Sequence, residues 1–423
     1  MNALCFQRTL RSLVIVVAIA LPINAGAQVL DTVVEWRRLL QVTVAGTPTP
    51  TVFFTRPYAL TGIAVFDALN SIERVYQPYV IEVPATATAS REAAVAQAAH
   101  DVLVALYPGQ RTTLDAALAT SLSGRAPGAV AEGVHIGAAV ARAVLESRAN
   151  DGWDRLPTPY LLPNLPGYYQ VTPPENGAVT FTHYPGVQPF IMDRHRSLVA
   201  APPALTSALY AEHFNEVKAI GGVTSTVRTA EQASIARRWW PIGTSTAFAH
   251  VWGNVLRDLA RRTSLSAVDA ARGYALMGMT MHDGLLASFN GKYLYGLWRP
   301  VTAIREAERD GNPATAADPT WLSFIPNPPY PAYPGNMTCM AAVNSRTLER
   351  LFGRDDMPFS VTWTGTAGNA DITRPFNGFR EMANEQARSR VYGGIHFEFD
   401  QQASFGVCIP LADYAFDNYM RRR

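Results

Sequence analysis

Cysteine is scarce in this chain, three among 423 residues, which excludes a disulfide-built scaffold. Charge of one sign is scarce too. The formal net charge is +2, and Arg8 with Arg11 accounts for all of it. The remainder lacks the basic excess that a nucleic-acid partner requires, and it has no basic tract interleaved with aromatics. The common catalytic signatures are missing: no G-x-S-x-G, no H-E-x-x-H, no Walker loop and no dinucleotide glycine fingerprint. The eight histidines are scattered, with no two at i, i+4, so local spacing offers no histidine-clustered metal site. Beyond residue 27 no stretch reaches about 18 uninterrupted apolar residues, so no membrane span is expected in the mature chain.

What is there begins with a secretory signal over 1–27. Arg8 and Arg11 supply the positive start, Leu13 to Ile23 the apolar core, and Ala25-Gly26-Ala27 an A-x-A cleavage site. The expected destination is secreted or periplasmic. Cys5 leaves with that segment. Cys339 and Cys408 remain, either as one disulfide in an oxidising compartment or as two small buried hydrophobes.

The rest reads as all-α, in one helical domain over 28–423. An N-terminal helical half covers about 28–149, a connector rich in Pro, Gly and Tyr covers 150–203, and a C-terminal half covers about 204–423. Helices are expected over 59–72, from Ser90 to Tyr107, near 110–122 and 128–149, and over 205–220. Thr229-Ala230-Glu231-Gln232 has the form of a capping box that opens a helix through Trp240. Further helices are expected over 245–262, from Ser266 to about Asn290, and from about Cys339 to Leu351. Strand-like residues occur only near 359–365.

Two stretches carry chemistry. In Ser389-Arg390-x5-His396-x3-Asp400, arginine offers a permanent forked cation that matches oxyanion geometry. Histidine offers a nucleophile or metal ligand, and the aspartate can hold its second nitrogen. Lys292-x6-Arg299-Pro300 sets two cations seven apart, two turns along a helix and so on one face, among Tyr293, Leu294, Tyr295, Leu297 and Trp298. Cations embedded in aromatic surface need an anion to offset their desolvation.

These two motifs, in this order, resemble the signature of the vanadium-dependent haloperoxidases and type 2 phosphatidic acid phosphatases. Ile63 to Asn70 and Gly394-Ile395-His396-Phe397 resemble the bacterial haloperoxidase branch in particular. The resemblance implies a helical-bundle fold with long Pro- and Tyr-rich connecting loops and a pocket for vanadate, or for phosphate as the alternative anion. Lys292, Arg299 and Arg390 would bind its oxygens, joined by Gly335 and Asn336 at a helix N-terminus. His396 would bond to vanadium, or attack phosphorus in a phosphatase, with Asp400 orienting it. Three cations at about 4 Å from one anion would each contribute roughly 4 kcal/mol before desolvation, at an effective dielectric of about 20.

The family's Pro-Ser-Gly-His is altered here to Pro334-Gly335-Asn336-Met337. Met337 stands at the acid–base histidine, and a thioether cannot transfer a proton. The expectation is retained anion binding with weakened or redirected turnover. The substrates implied are hydrogen peroxide and a halide. Phosphate-ester hydrolysis and non-catalytic oxyanion binding are the alternatives. His282-Asp283 lies upstream of Lys292 as a possible substitute acid–base pair, against a structural role.

Overall fold

The computed structural model describes residues 25–47, 53–161, 163–191, 199–240, 247–363 and 371–423. Most of the expected signal, 1–24, lies outside the described residues. The chain is predominantly helical, as expected. The N-terminal half comprises α1 (Ala25–Ala45), α2 (Thr55–Glu73), α3 (Arg91–Leu106), α4 (Arg111–Leu122) and α5 (Pro127–Ser147). After the connector come α6 (Ala208–Ile220), α7 (Ala230–Arg238), α8 (Ala247–Arg262), α9 (Ala267–Tyr295), α10 (Pro300–Arg305), α11 (Asn336–Phe352), α12 (Phe379–Tyr392) and α13 (Glu398–Asn418). One antiparallel strand pair, β1 (Phe359–Trp363) and β2 (Ile372–Phe376), separates α11 from α12.

The start signals work as their chemistry predicts. Ser90 and Ser266 accept from the N–H three residues on, and Thr229 forms a reciprocal capping box with Gln232. Strand β2 was not expected, because Pro375 and a largely exposed Ile-Thr-Arg-Pro-Phe sequence hide it. Helix α5 is long and apolar enough, by composition, to cross a membrane. Here its buried stripe of Ile136, Val140, Ala141 and Val144 packs against α3.

Helix α9 is the axis of the molecule. It is 29 residues long, about 43 Å at 1.5 Å per residue, and it packs against α1, α2, α8, α11 and α13. Helix α2 can lie close against it because Gly278 carries no side chain: a Cβ there would fall 2.7 Å from the Tyr58 carbonyl oxygen. Helices α11 and α13, which both pack on α9, are joined to each other by a disulfide between Cys339 and Cys408, whose Cα atoms are 5.4 Å apart. The bridge closes 69 residues of chain. Replacing both cysteines by alanine is expected to cost about 4 kcal/mol in the chain-entropy account. Denaturant unfolding of the double variant checks this; an unchanged midpoint would mean the bridge adds nothing.

The connector holds no α-helix or strand among its described residues, yet it is pinned along α9. Asp283 of α9 accepts hydrogen bonds from Phe190 N (2.7 Å) and Ile191 N (2.6 Å). Tyr169 N donates to Gly296 O at 2.6 Å, and Trp298 N to Gly167 O at 2.9 Å. His282 sits at 3.3 Å from the Thr55 hydroxyl. The His282–Asp283 pair therefore anchors the connector and α2, the structural role of the two that the sequence left open.

Candidate oxyanion site

Arg299, Arg390, His396 and Asp400 are each at most 1% exposed, as is Lys292. They converge from the end of α9, the residue before α10, the end of α12, the turn between α12 and α13, and the first turn of α13. Lys292 and Arg299 do not share a helix face. Helix α9 ends at Gly296, which adopts the left-handed conformation (φ 59°), and Arg299 is the residue before Pro300 opens α10. The sequence pattern ran through this turn because Tyr295, Leu297 and Trp298 keep the composition helical. Glycine is required at the stop, both for its φ and because a Cβ there would meet the Tyr160 hydroxyl at 2.8 Å.

His396 has a fixed tautomer. Arg299 Nη1 lies 3.0 Å from His396 Nε2, and an arginine nitrogen can only donate. Nε2 therefore carries the lone pair, and Nδ1 carries the proton that it donates to Asp400 Oδ2 at 2.7 Å. Burial, then Arg299, Lys292 and Arg390, push the imidazole's pKa well below its ordinary value, so the ring is neutral. Burial raises Asp400 to about 7 against the pull of Lys292 and Arg299. Asp400 also accepts from the Phe397 N–H at 3.1 Å, half of a capping box that a phenylalanine cannot reciprocate.

The cations are partly spent. Lys292 Nζ donates to the carbonyls of Pro331 (2.9 Å), Ala332 (2.7 Å) and Pro334 (2.6 Å), which uses all three of its hydrogens. In this arrangement Lys292 braces the 331–334 loop and acts on an anion only through its charge. Burial and Arg299 hold its pKa well below the ordinary lysine value. Arg299 Nε donates to Tyr330 O (2.9 Å) and Nη1 to Ile395 O (2.8 Å), while Nη2 is buried with no partner. Arg390 Nε donates to Ser389 Oγ (3.1 Å) and Nη2 to Trp239 O (2.9 Å). Burial lowers Arg390 to about 10.

The altered motif lies at the start of α11. Asn336, Met337 and Thr338 open the helix after Gly335, and their N–H groups have no backbone acceptor among the described residues. Such groups favour anions. Gly335 is different from expectation, because its N–H already donates to Asp400 O at 3.2 Å. A side chain at 335 would also collide, since a Cβ there would lie 2.8 Å from Gln401 Oε1. Gln401, bonded to the Thr338 hydroxyl and to Phe397 O, fills the space where a serine would stand.

Tyr330 is the residue that the sequence did not single out. Its ring lies 5.3 Å from Lys292 Nζ and 5.1 Å from Arg299 Cζ, cation–π distances, and its hydroxyl is within hydrogen-bonding reach of the Asn336 side chain. Burial raises the phenol's pKa, opposed by Arg299, Asn336 and Arg390. The only advance sign was its place in Pro328-Pro329-Tyr330-Pro331. The cluster thus holds three cations against one carboxylate, an orphaned guanidinium nitrogen, an imidazole lone pair and open helix N–H groups. No group of three or more His, Cys, Asp or Glu suited to a bare metal ion occurs among the described residues. The donor set fits an oxyanion such as vanadate, and one imidazole lone pair lies within it.

Comparison with known proteins bears on the C-terminal sequence and on the fold. Residues 272–423 match the family model for the VCPO second helical-bundle domain. Vanadium chloroperoxidase of Curvularia inaequalis is 27% identical over 288 residues, covering 52% of this chain and 46% of that protein. The chain thus aligns with about half the length of that relative. Among solved structures, a bacterial vanadium-dependent iodoperoxidase superposes with a TM-score of 0.78 at 21% identity, covering 94% of this chain and 97% of the other. A holo-type bacterial vanadium-dependent chloroperoxidase gives 0.71 at 18% identity, covering 88% and 92%. The family match thus lies in the C-terminal bundle, and the chain as a whole has the helical fold of the bacterial vanadium-dependent haloperoxidases.

Proposed function

We propose that this protein binds vanadate at the Lys292–Arg299–Arg390–His396 site and uses hydrogen peroxide to oxidise a halide, with turnover limited by Met337. The observation that carries the reading is the His396 tautomer: a neutral ring whose Nε2 lone pair faces a cluster with excess positive charge. Vanadate, when bound, supplies the centre at which peroxide is activated. Arg299 Nη2 and the N–H groups of Asn336 and Met337 would hold its oxygens, and Asp400 keeps the His396 proton on Nδ1. Shifting Arg299 Nη1 from His396 Nε2 to an anion oxygen frees the lone pair for attachment.

Proton handling is the weak point. The Tyr330 phenol is a neutral hydroxyl at this cluster, and burial makes it a poorer acid than an imidazole at neutral pH. Tyr330→Phe is expected to lower the residual turnover about tenfold or more, within the range of a general acid, while vanadate affinity by calorimetry stays nearly unchanged. Equal loss of both would make Tyr330 a packing residue only. A secreted or periplasmic setting is part of the proposal, supported by the signal-like residues 1–27 and by the Cys339–Cys408 bridge.

The test is a pair of assays on purified protein. Bromination of an indicator is followed with vanadate, peroxide and bromide, and a chromogenic phosphate ester is offered without vanadate. Bromination alone is the expected result. Ester hydrolysis alone would replace the proposal by a phosphatase using His396 as nucleophile. Silence in both, with vanadate still bound, would leave an oxyanion-binding protein.

A further inference from the structure

At the opposite end of α9 a second buried arginine stands without a counter-ion. Arg37 projects from α1 into its seam with α2 and α9 and is 6% exposed. Its guanidinium lies 3.9 Å from the centroid of the Tyr58 ring and 5.0 Å from that of Tyr274. Those ring faces attract the charge, but Nε, Nη1 and Nη2 have no hydrogen-bond acceptor among the described residues. The Thr61 and Tyr58 hydroxyls are likewise buried and unpartnered. A guanidinium does not shed its proton to escape this position, and an unpaired buried charge is among the costliest groups a fold can hold.

A small cavity adjoins the charge. It measures about 20 Å³ and lies between Arg37, Thr61 and Tyr274, with Val33, Leu40 and Val65 as apolar walls. That volume admits one water-sized particle, for which about 10–15 Å³ suffices. It excludes a tetrahedral oxyanion with four oxygens. A water molecule would fill the space and leave the charge unbalanced. A monatomic anion fills it and balances the charge, taking hydrogen bonds from the guanidinium and from Thr61 Oγ1.

We infer that Arg37 and Thr61 form a buried binding site for a single halide ion, distinct from the oxyanion site. Tyr274 borders this cavity and Lys292 the other site. They lie 18 residues apart on one helix, about 27 Å at 1.5 Å per residue. The inference does not rest on the vanadate reading, since a chain that never turned halide over would still bind it here. The bound ion would tie α1 to α2 and α9, so its effect is on stability.

Crystals grown in bromide without vanadate test the site directly. Anomalous scattering is expected to place a bromide between Arg37 and Thr61, and a map with no peak there at high bromide overturns the inference. In solution, the unfolding midpoint is compared in bromide and in gluconate, an anion too large for the cavity, at equal ionic strength. The wild-type midpoint is expected to rise about 2 °C when bromide reaches about ten times its dissociation constant, and Arg37→Met to lose that rise. An equal rise in the variant overturns the inference. Should Arg37→Met fail to fold, the bromide map decides.

Discussion

Met337→His is expected to raise peroxide-dependent bromide oxidation by about 10²–10⁴-fold, the range in which a positioned acid–base group acts. Met337 is the second residue of α11 and is almost wholly buried, so an imidazole of similar bulk placed there would be held rigidly. The three nearby cations and the positive end of the helix disfavour imidazolium. The new ring would therefore begin neutral, ready to take a proton and return it. The change is best made alone. Restoring serine at 335 in the same step would drive its Cβ into Gln401 Oε1 and disturb the Thr338–Gln401 contact. A gain of less than about tenfold in single-turnover bromination would show that proton transfer is not the limiting step.

Asp400→Asn is expected to weaken vanadate binding by about 10²-fold, the loss typical when a partner that orients a metal-bound histidine is altered. The loss in turnover reaches about 10⁴-fold if the amide turns its NH₂ toward His396 and reverses the tautomer. Two donors now converge on one carboxylate oxygen, His396 Nδ1–H and the Phe397 N–H. An amide oxygen can serve both, so the variant should fold and keep its α13 start. The pH profile separates an electrostatic role from a packing one. With its carboxyl held up at about 7 by burial, Asp400 gains negative charge as pH rises through that value, and this opposes a bound anion. Wild-type affinity should therefore fall across pH 7, and the Asp400→Asn variant, having nothing to titrate there, should lack that step. A variant with unchanged affinity and the same step would remove Asp400 from the site's chemistry. Calorimetric titration with vanadate across the pH range measures both.

Much of this molecule was legible in its sequence, for identifiable reasons. Caps at Ser90, Thr229 and Ser266 are local hydrogen-bond patterns, so the helices they open could be placed to within a residue or two. Arg390, His396 and Asp400 lie within one short segment, where residue type and spacing already suggest a histidine held by a carboxylate. What was hidden depended on chain reversals and on backbone atoms. The stop at Gly296 is a conformation, not a periodicity, and it turns two cations from an assumed shared face into neighbours across a turn. The acceptors of Lys292 are main-chain carbonyls, which leave no mark on residue identity. Tyr330 enters the site through tertiary packing alone, and Gln401 explains the altered residue 335 only once α13 is seen against α11.

The three carbonyls on Lys292 also bear on how the site can be dissected. Substituting this lysine removes a charge and unfastens the loop that delivers Pro334 to the start of α11. A Lys292 variant therefore reports on loop order and anion affinity together, and its phenotype cannot be assigned to either alone. Arg299 carries a similar second duty through Nε and Nη1, on Tyr330 O and Ile395 O, and only its Nη2 is left for an anion among the described residues.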